Sequence, residues 1–379
     1  MSDYTADTKF IDLGAQQALI RSDIDLAITR VLDHGHYIMG PEVGQLESAL
    51  SQFSGAKNVI SCANGTDALT LALMAWNTVP GDAVFVPSFT YVASAEAPAL
   101  LGAVPFFVDI DPLTFNICAD SLVRAIEDSE SMGLVPRAVI AVDLFGQPAD
   151  AEVLQKICAQ HGLKLLIDAA QSFGASSRGR QVGTFGDATT TSFFPAKPLG
   201  CYGDGGAVFT SDDELAETVR SIRLHGKGAE KYDNVRLGMN SRLDTIQAAI
   251  LLEKLKLFPN ELKLRQAVAE RYNNRLASYV NVPTVPDDSS SAWAQYTITV
   301  SNRDRVVEAL KSLSIPYGIY YPRALHHQQA YSKYPSVTSG LSNSEKAAAS
   351  VLSLPMHPYL TAEEQNAVCR ALIDSLQDE

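Results

Sequence analysis

The sequence predicts an α/β protein with a large domain built on a mostly parallel seven-stranded sheet and a smaller C-terminal α/β domain. Three observations predict it. From about residue 58 to 210, short apolar runs rich in β-branched residues alternate with longer stretches of helical pattern, the signature of βαβ units and a sheet buried on both faces. Seven such runs occur, enough for a sheet of large-enzyme size. The 379 residues also exceed the roughly 250–300 at which a single core stops growing, so part of the chain must build a second one. We place the division between 255 and 256, with 1–255 as the large domain and its N-terminal arm and 256–379 as the small domain.

In chain order, Gly40-Pro41 punctuates the start, and 42–53 reads as a helix with Val43, Leu46, Leu50 and Phe53 on one face. The strand candidates are 59–60, 83–86, 105–108, 138–142, 165–167, 190–194 and 207–210. Leu243, Ile246, Ile250 and Leu257 mark a helix over about 241–258 that carries the chain out of the large domain. The acidic, serine-rich run 287–291 reads as a solvated loop, and Tyr296, Ile298 and Val300 alternate with threonines as a half-buried strand. Residues 303–314 read as helix and 315–321 as strand. Thr361 and Glu364 have the spacing of a capping box that opens the last helix.

Composition narrows the function. With 46% hydrophobic and 19% charged residues, the chain has too much apolar content to remain disordered. A net charge of −13 argues against general affinity for nucleic acid or an anionic membrane, while leaving room for a local basic pocket. The five cysteines, at 62, 118, 158, 201 and 369, form no CxxC pair and cannot all be paired, which fits reduced thiols in a cytoplasm. Asp3 and Asp7 stand where a secretory leader would be basic. The most apolar region, 83–108, is interrupted by Pro87, Glu96, Pro98 and Pro105 and so spans no membrane.

Three stretches carry chemistry. Asn64-Gly65-Thr66 lies between an apolar run and a helical pattern; such a turn exposes N–H groups and the positive end of a helix dipole to a phosphate, although it also serves as a plain strand–helix connection. Leu165-Leu166-Ile167-Asp168 predicts a strand buried on both faces that ends in a carboxylate, where open α/β sheets bind ligands; the same residue could be a helix cap. Lys197 is set among Phe193, Phe194, Pro195, Pro198 and Leu199. Apolar surroundings lower a lysine's pKa and favour covalent capture of an aldehyde, although most lysines are solvated surface groups. Gly203, Gly205 and Gly206 precede a strand and so are not a dinucleotide fingerprint. Together, a phosphate turn, a strand-end carboxylate and a downstream lysine preceded by Ser192 form the set that pyridoxal phosphate requires. His326-His327 has no further ligand at a suitable spacing, so no metal site is expected.

The sequence resembles the DegT/DnrJ/EryC1/StrS group of nucleotide-sugar aminotransferases over nearly its whole length, from Phe10-Ile11-Asp12-Leu13 to about Leu372. The stretches that carry this are 36–41 (His-Tyr-Ile-Met-Gly-Pro), 63–69 (Ala-Asn-Gly-Thr-Asp-Ala-Leu), 89–93 (Phe-Thr-Tyr-Val-Ala), 168–171 (Asp-Ala-Ala-Gln), the Ser192 to Gly206 segment, and 238–243 (Gly-Met-Asn-Ser-Arg-Leu). The resemblance implies the aspartate-aminotransferase (type I) fold and pyridoxal 5'-phosphate. Lys197 would bind the cofactor's aldehyde and shuttle the proton, and Asp168 would pair with the pyridine nitrogen. Gln171 would sit near the ring hydroxyl, Tyr91 would stack on the ring, and Gly65, Thr66 and Ser192 would hold the phosphate. Asn240 would reach the phosphate of the neighbouring subunit, making the active unit a homodimer with shared sites.

Some relatives carry histidine in place of the lysine and act as dehydratases; Lys197 is intact, which favours transamination. An aminotransferase for another 3- or 4-keto nucleotide sugar and a sugar-nucleotide sensor that keeps the fold are further alternatives, and the sequence shows no added DNA-binding or signalling segment. Within the group, 61–69, 198–206 and 354–360 resemble the branch that aminates the 3-keto position of UDP-2-acetamido-2-deoxy-3-oxo-glucuronate with glutamate as donor, for polysaccharide such as lipopolysaccharide O antigen. Tyr320 departs from this pattern, standing where a histidine is expected. Arg242 is a candidate for binding a carboxylate of the donor or of a uronate, because a planar guanidinium grips carboxylates at two points; it could also be an ordinary arginine at a helix start. Tyr37, Tyr320, Tyr321 and His357 are further candidates for substrate contacts.

Overall fold

The computed structural model describes residues 8–230 and 232–377. The large domain contains helices α1 (Leu13–His34), α2 (Pro41–Ser54), α3 (Gly65–Ala75), α4 (Ala93–Leu100), α5 (Ala119–Ser131), α6 (Ala151–His161) and α7 (Asp213–Ile222). Its strands are β1 (Asn58–Cys62), β2 (Asp82–Pro87), β3 (Val104–Val108), β4 (Val135–Val142), β5 (Lys164–Asp168), the two-residue β6 (Ser176–Ser177) and β7 (Arg180–Gln181), β8 (Ala188–Ser192) and β9 (Gly206–Thr210). The C-terminal part comprises α8 (Thr245–Leu276), β10 (Ser289–Ser290), β11 (Tyr296–Thr299), α9 (Arg303–Ser312), α10 (Ser342–Ser350), β12 (Val351–Leu354) and α11 (Ala362–Gln377).

The central sheet has the order β1-β9-β8-β5-β4-β2-β3. Only β9 runs against the others, pairing antiparallel with both β8 and β1, while β3, β2, β4, β5 and β8 pair parallel. All seven expected strands are present. The expected run 190–194 starts earlier and ends at Ser192, because Phe193 and Phe194 already belong to the loop that reverses direction into β9. Every residue of β2 and β9 is buried, as a sheet covered on both faces requires. The parallel strands therefore aim their carboxyl ends at one edge, where the connecting loops gather.

The expected helix over 241–258 is found, but it continues as α8 to Leu276 with Pro259 inside it. An internal proline costs about 3 kcal/mol. Burial on both sides of it outweighs that cost: Phe258 packs with the α2 and β9 side chains, and Val268, Ala269, Tyr272 and Leu276 enter a second core with β11, β12, α9 and α11. The 255/256 division thus falls inside one continuous helix. The run 287–291 is not wholly loop, since Ser289 and Ser290 pair with β6. Residues 315–321 form no strand and keep a single bridge, Gly318 to Ser353. Pro316 removes a ladder donor, and a side chain at Gly318 would meet the Tyr320 ring at 2.6 Å. The capping box is made: Thr361 Oγ1 accepts from the Glu364 N–H at 3.2 Å, and Glu364 Oε2 accepts from the Thr361 N–H at 2.9 Å.

Candidate active site

A cavity of about 670 Å³ opens at the carboxyl ends of β1, β2, β4, β5 and β8, and it gathers most of the residues singled out from the sequence. Lys197 reaches it from the loop between β8 and β9. That loop is tightly held: the Phe193 N–H donates to Gly205 O at 2.7 Å, the Cys201 N–H to Phe193 O at 2.8 Å, and Lys254 Nζ to Gly200 O at 2.6 Å. A side-chain carbon at Gly200 would lie 2.5 Å from Pro195 O, so the turn closes only around glycine. Burial depresses the Lys197 pKa, with Asp168 opposing the shift.

Asp168 is the last residue of β5 and is buried. Its Oδ2 accepts from Ser94 Oγ at 3.2 Å and its Oδ1 from the Ala170 N–H at 3.2 Å. Burial still pushes its pKa up; the Ala170 hydrogen bond, the Lys197 charge and the Ser94 hydroxyl only partly offset it. A carboxylate held this way is stabilised by any cation brought against it. Gln171 is buried, with Oε1 accepting from the Phe145 N–H at 2.6 Å and Nε2 donating to Tyr321 Oη at 3.4 Å.

The anion end of the cavity is built by α3 and Ser192. Asn64 caps α3 through Oδ1, which accepts from the Asp67 N–H at 2.8 Å, leaving the N–H groups of the first turn to face outward. A methyl at Gly65 would stand 2.7 Å from Ser192 Cβ, and one at Gly206 would stand 2.4 Å from Asn64 O. Two glycines thus let the helix start, β8 and β9 approach closely enough for the Ser192 hydroxyl to share the helix's anion end. Tyr91 lines the opening, more than half exposed, with its ring 6.1 Å from that of Tyr321. Tyr320 and Tyr321 also line the cavity, and burial raises both of their pKa values.

Four candidates do not line this cavity. Tyr37 is exposed and accepts the Thr245 N–H on its backbone oxygen at 2.9 Å. Asn240 is exposed and bridges to Leu224. Arg242 is half-buried and makes no hydrogen bond or ion pair with another described residue. His357 is buried beside Arg265 and Asp12, away from the cavity; burial and then the Arg265 charge lower its pKa. Conversely, the sequence reading missed Ser94 and Gln295. Ser94 lies one helical turn beyond Tyr91, a spacing that could have flagged it. Gln295 lines the cavity with a buried Oε1 that has no partner among the described residues, and nothing in its local sequence marks it.

Known proteins resemble the chain over nearly its whole length. The sequence model of the DegT/DnrJ/EryC1/StrS aminotransferase family matches residues 18–373. The UDP-2-acetamido-2-deoxy-3-oxo-D-glucuronate aminotransferase of Pseudomonas aeruginosa is 48% identical over 365 residues, 96% of this chain and 99% of that protein. A DegT DnrJ EryC1 StrS aminotransferase from Brucella abortus superposes with a TM-score of 0.97 at 49% identity, covering 98% of this chain and all of that one. DesV of S. venezuelae, solved in complex with a ketimine intermediate, superposes with a TM-score of 0.92 at 35% identity over 98% of both chains.

Proposed function

The chain belongs to the DegT/DnrJ/EryC1/StrS aminotransferase family, and on that premise we propose that it moves an amino group from glutamate to the 3-keto group of UDP-2-acetamido-2-deoxy-3-oxo-glucuronate. The product would serve surface polysaccharide such as O antigen, and the enzyme would act in the cytoplasm as a homodimer. The observation that carries the reading is one cavity holding the Lys197 amine, the buried Asp168 carboxylate and the anion end made by α3 and Ser192. The family is one of pyridoxal-phosphate-dependent sugar aminotransferases, and pyridoxal 5'-phosphate is its cofactor.

The residues present fit that cofactor. The close approach at Gly65 and Gly206 makes a cradle with helix N–H groups and the Ser192 hydroxyl as donors for a phosphate dianion. Asp168 is a buried carboxylate that burial destabilises, and a protonated ring nitrogen relieves it. When bound, pyridoxal phosphate supplies an aldehyde that joins amines covalently and a cationic ring that accepts an electron pair.

The chain's own groups do the rest. Burial lowers the Lys197 pKa, which favours the neutral amine that can take up a proton and return it. Ser94 and the Ala170 N–H hold the Asp168 carboxylate in place, so its charge faces the cavity without rearrangement. Gln171, tied to Phe145 and Tyr321, fixes the wall between them. The guanidinium of Arg242 has no partner among the described residues, which supports it as the group that binds a carboxylate of glutamate or of the uronate; together with Asn240 it would act at the partner subunit's cavity. Tyr37 and His357 would contribute to substrate contacts only through that second subunit or a rearranged arm.

The test is a half-reaction. Glutamate added to the yellow holoenzyme should bleach its near-visible absorbance, and the 3-keto uronate, but not its 4-keto isomer, should restore it. No change with glutamate sinks the aminotransferase reading. Restoration by the 4-keto isomer alone overturns the substrate.

A further inference from the structure

Away from the cavity, three side chains with metal-ligand chemistry converge where the sequence reading expected none. The short 3-10 turn Leu325–His327 presents two adjacent imidazoles, and Glu345 of α10 comes to meet them from 18 residues beyond His327. His326 Nε2 stands 3.3 Å from Glu345 Oε1, and His327 Nε2 stands 3.8 Å from the same oxygen. One ligand atom from each residue lies within 4.8 Å of the other two. We infer that His326, His327 and Glu345 form a site for a zinc-type divalent cation, completed by water.

In this structure His326 Nε2 and Glu345 Oε1 are within hydrogen-bond reach of each other, and His327 Nε2 lies at ion-pair distance from the same oxygen, so the three ligand atoms already face one point. Zinc bonds of about 2.0–2.2 Å at tetrahedral angles place neighbouring ligand atoms roughly 3.3–3.5 Å apart; the His326–Glu345 separation of 3.3 Å meets that spacing, and His327 at 3.8 Å needs to close by a few tenths of an ångström. His326 Nδ1 is engaged with Ser88 Oγ at 2.7 Å, so that hydroxyl fixes the ring and leaves Nε2 as the ligand nitrogen, as outer-shell partners of metal-bound histidines do. The turn is tied to the same residue, since the Leu325 N–H donates to Ser88 O at 2.8 Å. The two imidazole rings have centroids 3.9 Å apart, which brings both to the same side of the turn facing Glu345. His326 is half-buried whereas His327 and Glu345 are exposed, which leaves an entry path and room for water ligands.

The site would brace the cavity wall from behind. Ser88 follows β2 directly and leads into Thr90 and Tyr91, while the chain before the turn carries Tyr320 and Tyr321, all of which line the cavity. A bound cation ties the 325–327 turn to α10, and through the His326–Ser88 hydrogen bond to the segment after β2, without touching the reacting groups.

The test uses tag-free, cofactor-loaded protein, titrated with Zn²⁺ by calorimetry and with Co²⁺ by its visible d–d absorbance. One ion should bind per chain with a Kd on the order of 10 µM or tighter. His327→Ala and Glu345→Gln should each weaken binding at least about tenfold, and both should keep the wild-type turnover in chelator-treated buffer. Ser88→Ala should weaken binding less than either. Absence of one-to-one binding up to about 1 mM Zn²⁺, or wild-type affinity in both ligand variants, overturns the inference.

Discussion

Gly65→Ala separates the roles of helix and cradle. The added carbon would stand 2.7 Å from Ser192 Cβ and 3.3 Å from Ser192 Oγ, against an ordinary carbon–carbon contact of about 3.5–4.0 Å. The start of α3 and the end of β8 must part by roughly 1 Å, an overpacking that costs about 1–3 kcal/mol. Alanine's advantage over glycine within a helix, about 1 kcal/mol, offsets part of that, so the fold survives. The parting also moves the α3 N–H groups away from the Ser192 hydroxyl, and one anion can no longer hold both in good geometry. Losing one hydrogen bond to a charged group, about 1.5–3 kcal/mol, weakens cofactor binding about 10- to 100-fold. Cofactor titration of the apoenzyme by absorbance reads the change, and an apoenzyme melt reads the stability. Gly44→Ala in α2 is the matched control, because a side chain there meets nothing within 4 Å; it should leave cofactor affinity unchanged. Wild-type cofactor affinity in Gly65→Ala would refute the cradle.

Lys197→Ala should abolish turnover and leave the circular dichroism spectrum unchanged; measurable turnover at the wild-type rate would remove its assigned role. Arg242→Ala should raise the KM of a carboxylated keto sugar at least about tenfold more than that of its neutral counterpart, since a charge-assisted pair contributes about 1.5–3 kcal/mol; equal losses would argue against uronate recognition. Asp143 is buried and its pKa is pushed up to about 7 by burial, against the hydrogen bonds from Ser172 and the Ala149 N–H. Between about pH 4 and 7 the native state therefore holds a proton that the unfolded chain has released, so this group's contribution falls as pH rises through that window, by about 4 kcal/mol at most. Asp143→Asn can keep both hydrogen bonds, with the Ser172 hydroxyl reversing its role, and should flatten the fall of melting temperature over that range. An unchanged slope would show that Asp143 is ionised in the folded protein.

What could be read from the sequence follows the range of the interaction involved. β5 ends at Asp168 because a run of apolar β-branched and leucine residues has one stable use in this fold, and the carboxylate after it has one place to go; both facts are local. The same holds for the Asn64 cap and the glycines after Lys197. The course of α8 was not local: Pro259 marks a helix end by every short-range rule, and the helix persists only because Phe258 and Tyr272 are buried by segments distant in the chain. The pairing of Ser289 and Ser290 is likewise non-local, since its partner β6 lies more than a hundred residues earlier. The strand expected over 315–321 failed to a local breaker, Pro316, whose missing donor the apolar pattern concealed. Glu345 shows the same limit for sites. A search for ligands at short spacing around His326-His327 finds nothing, because the carboxylate reaches them from α10, 18 residues beyond His327. Chemistry written in one segment was legible from the residues, whereas chemistry assembled from two segments required the fold.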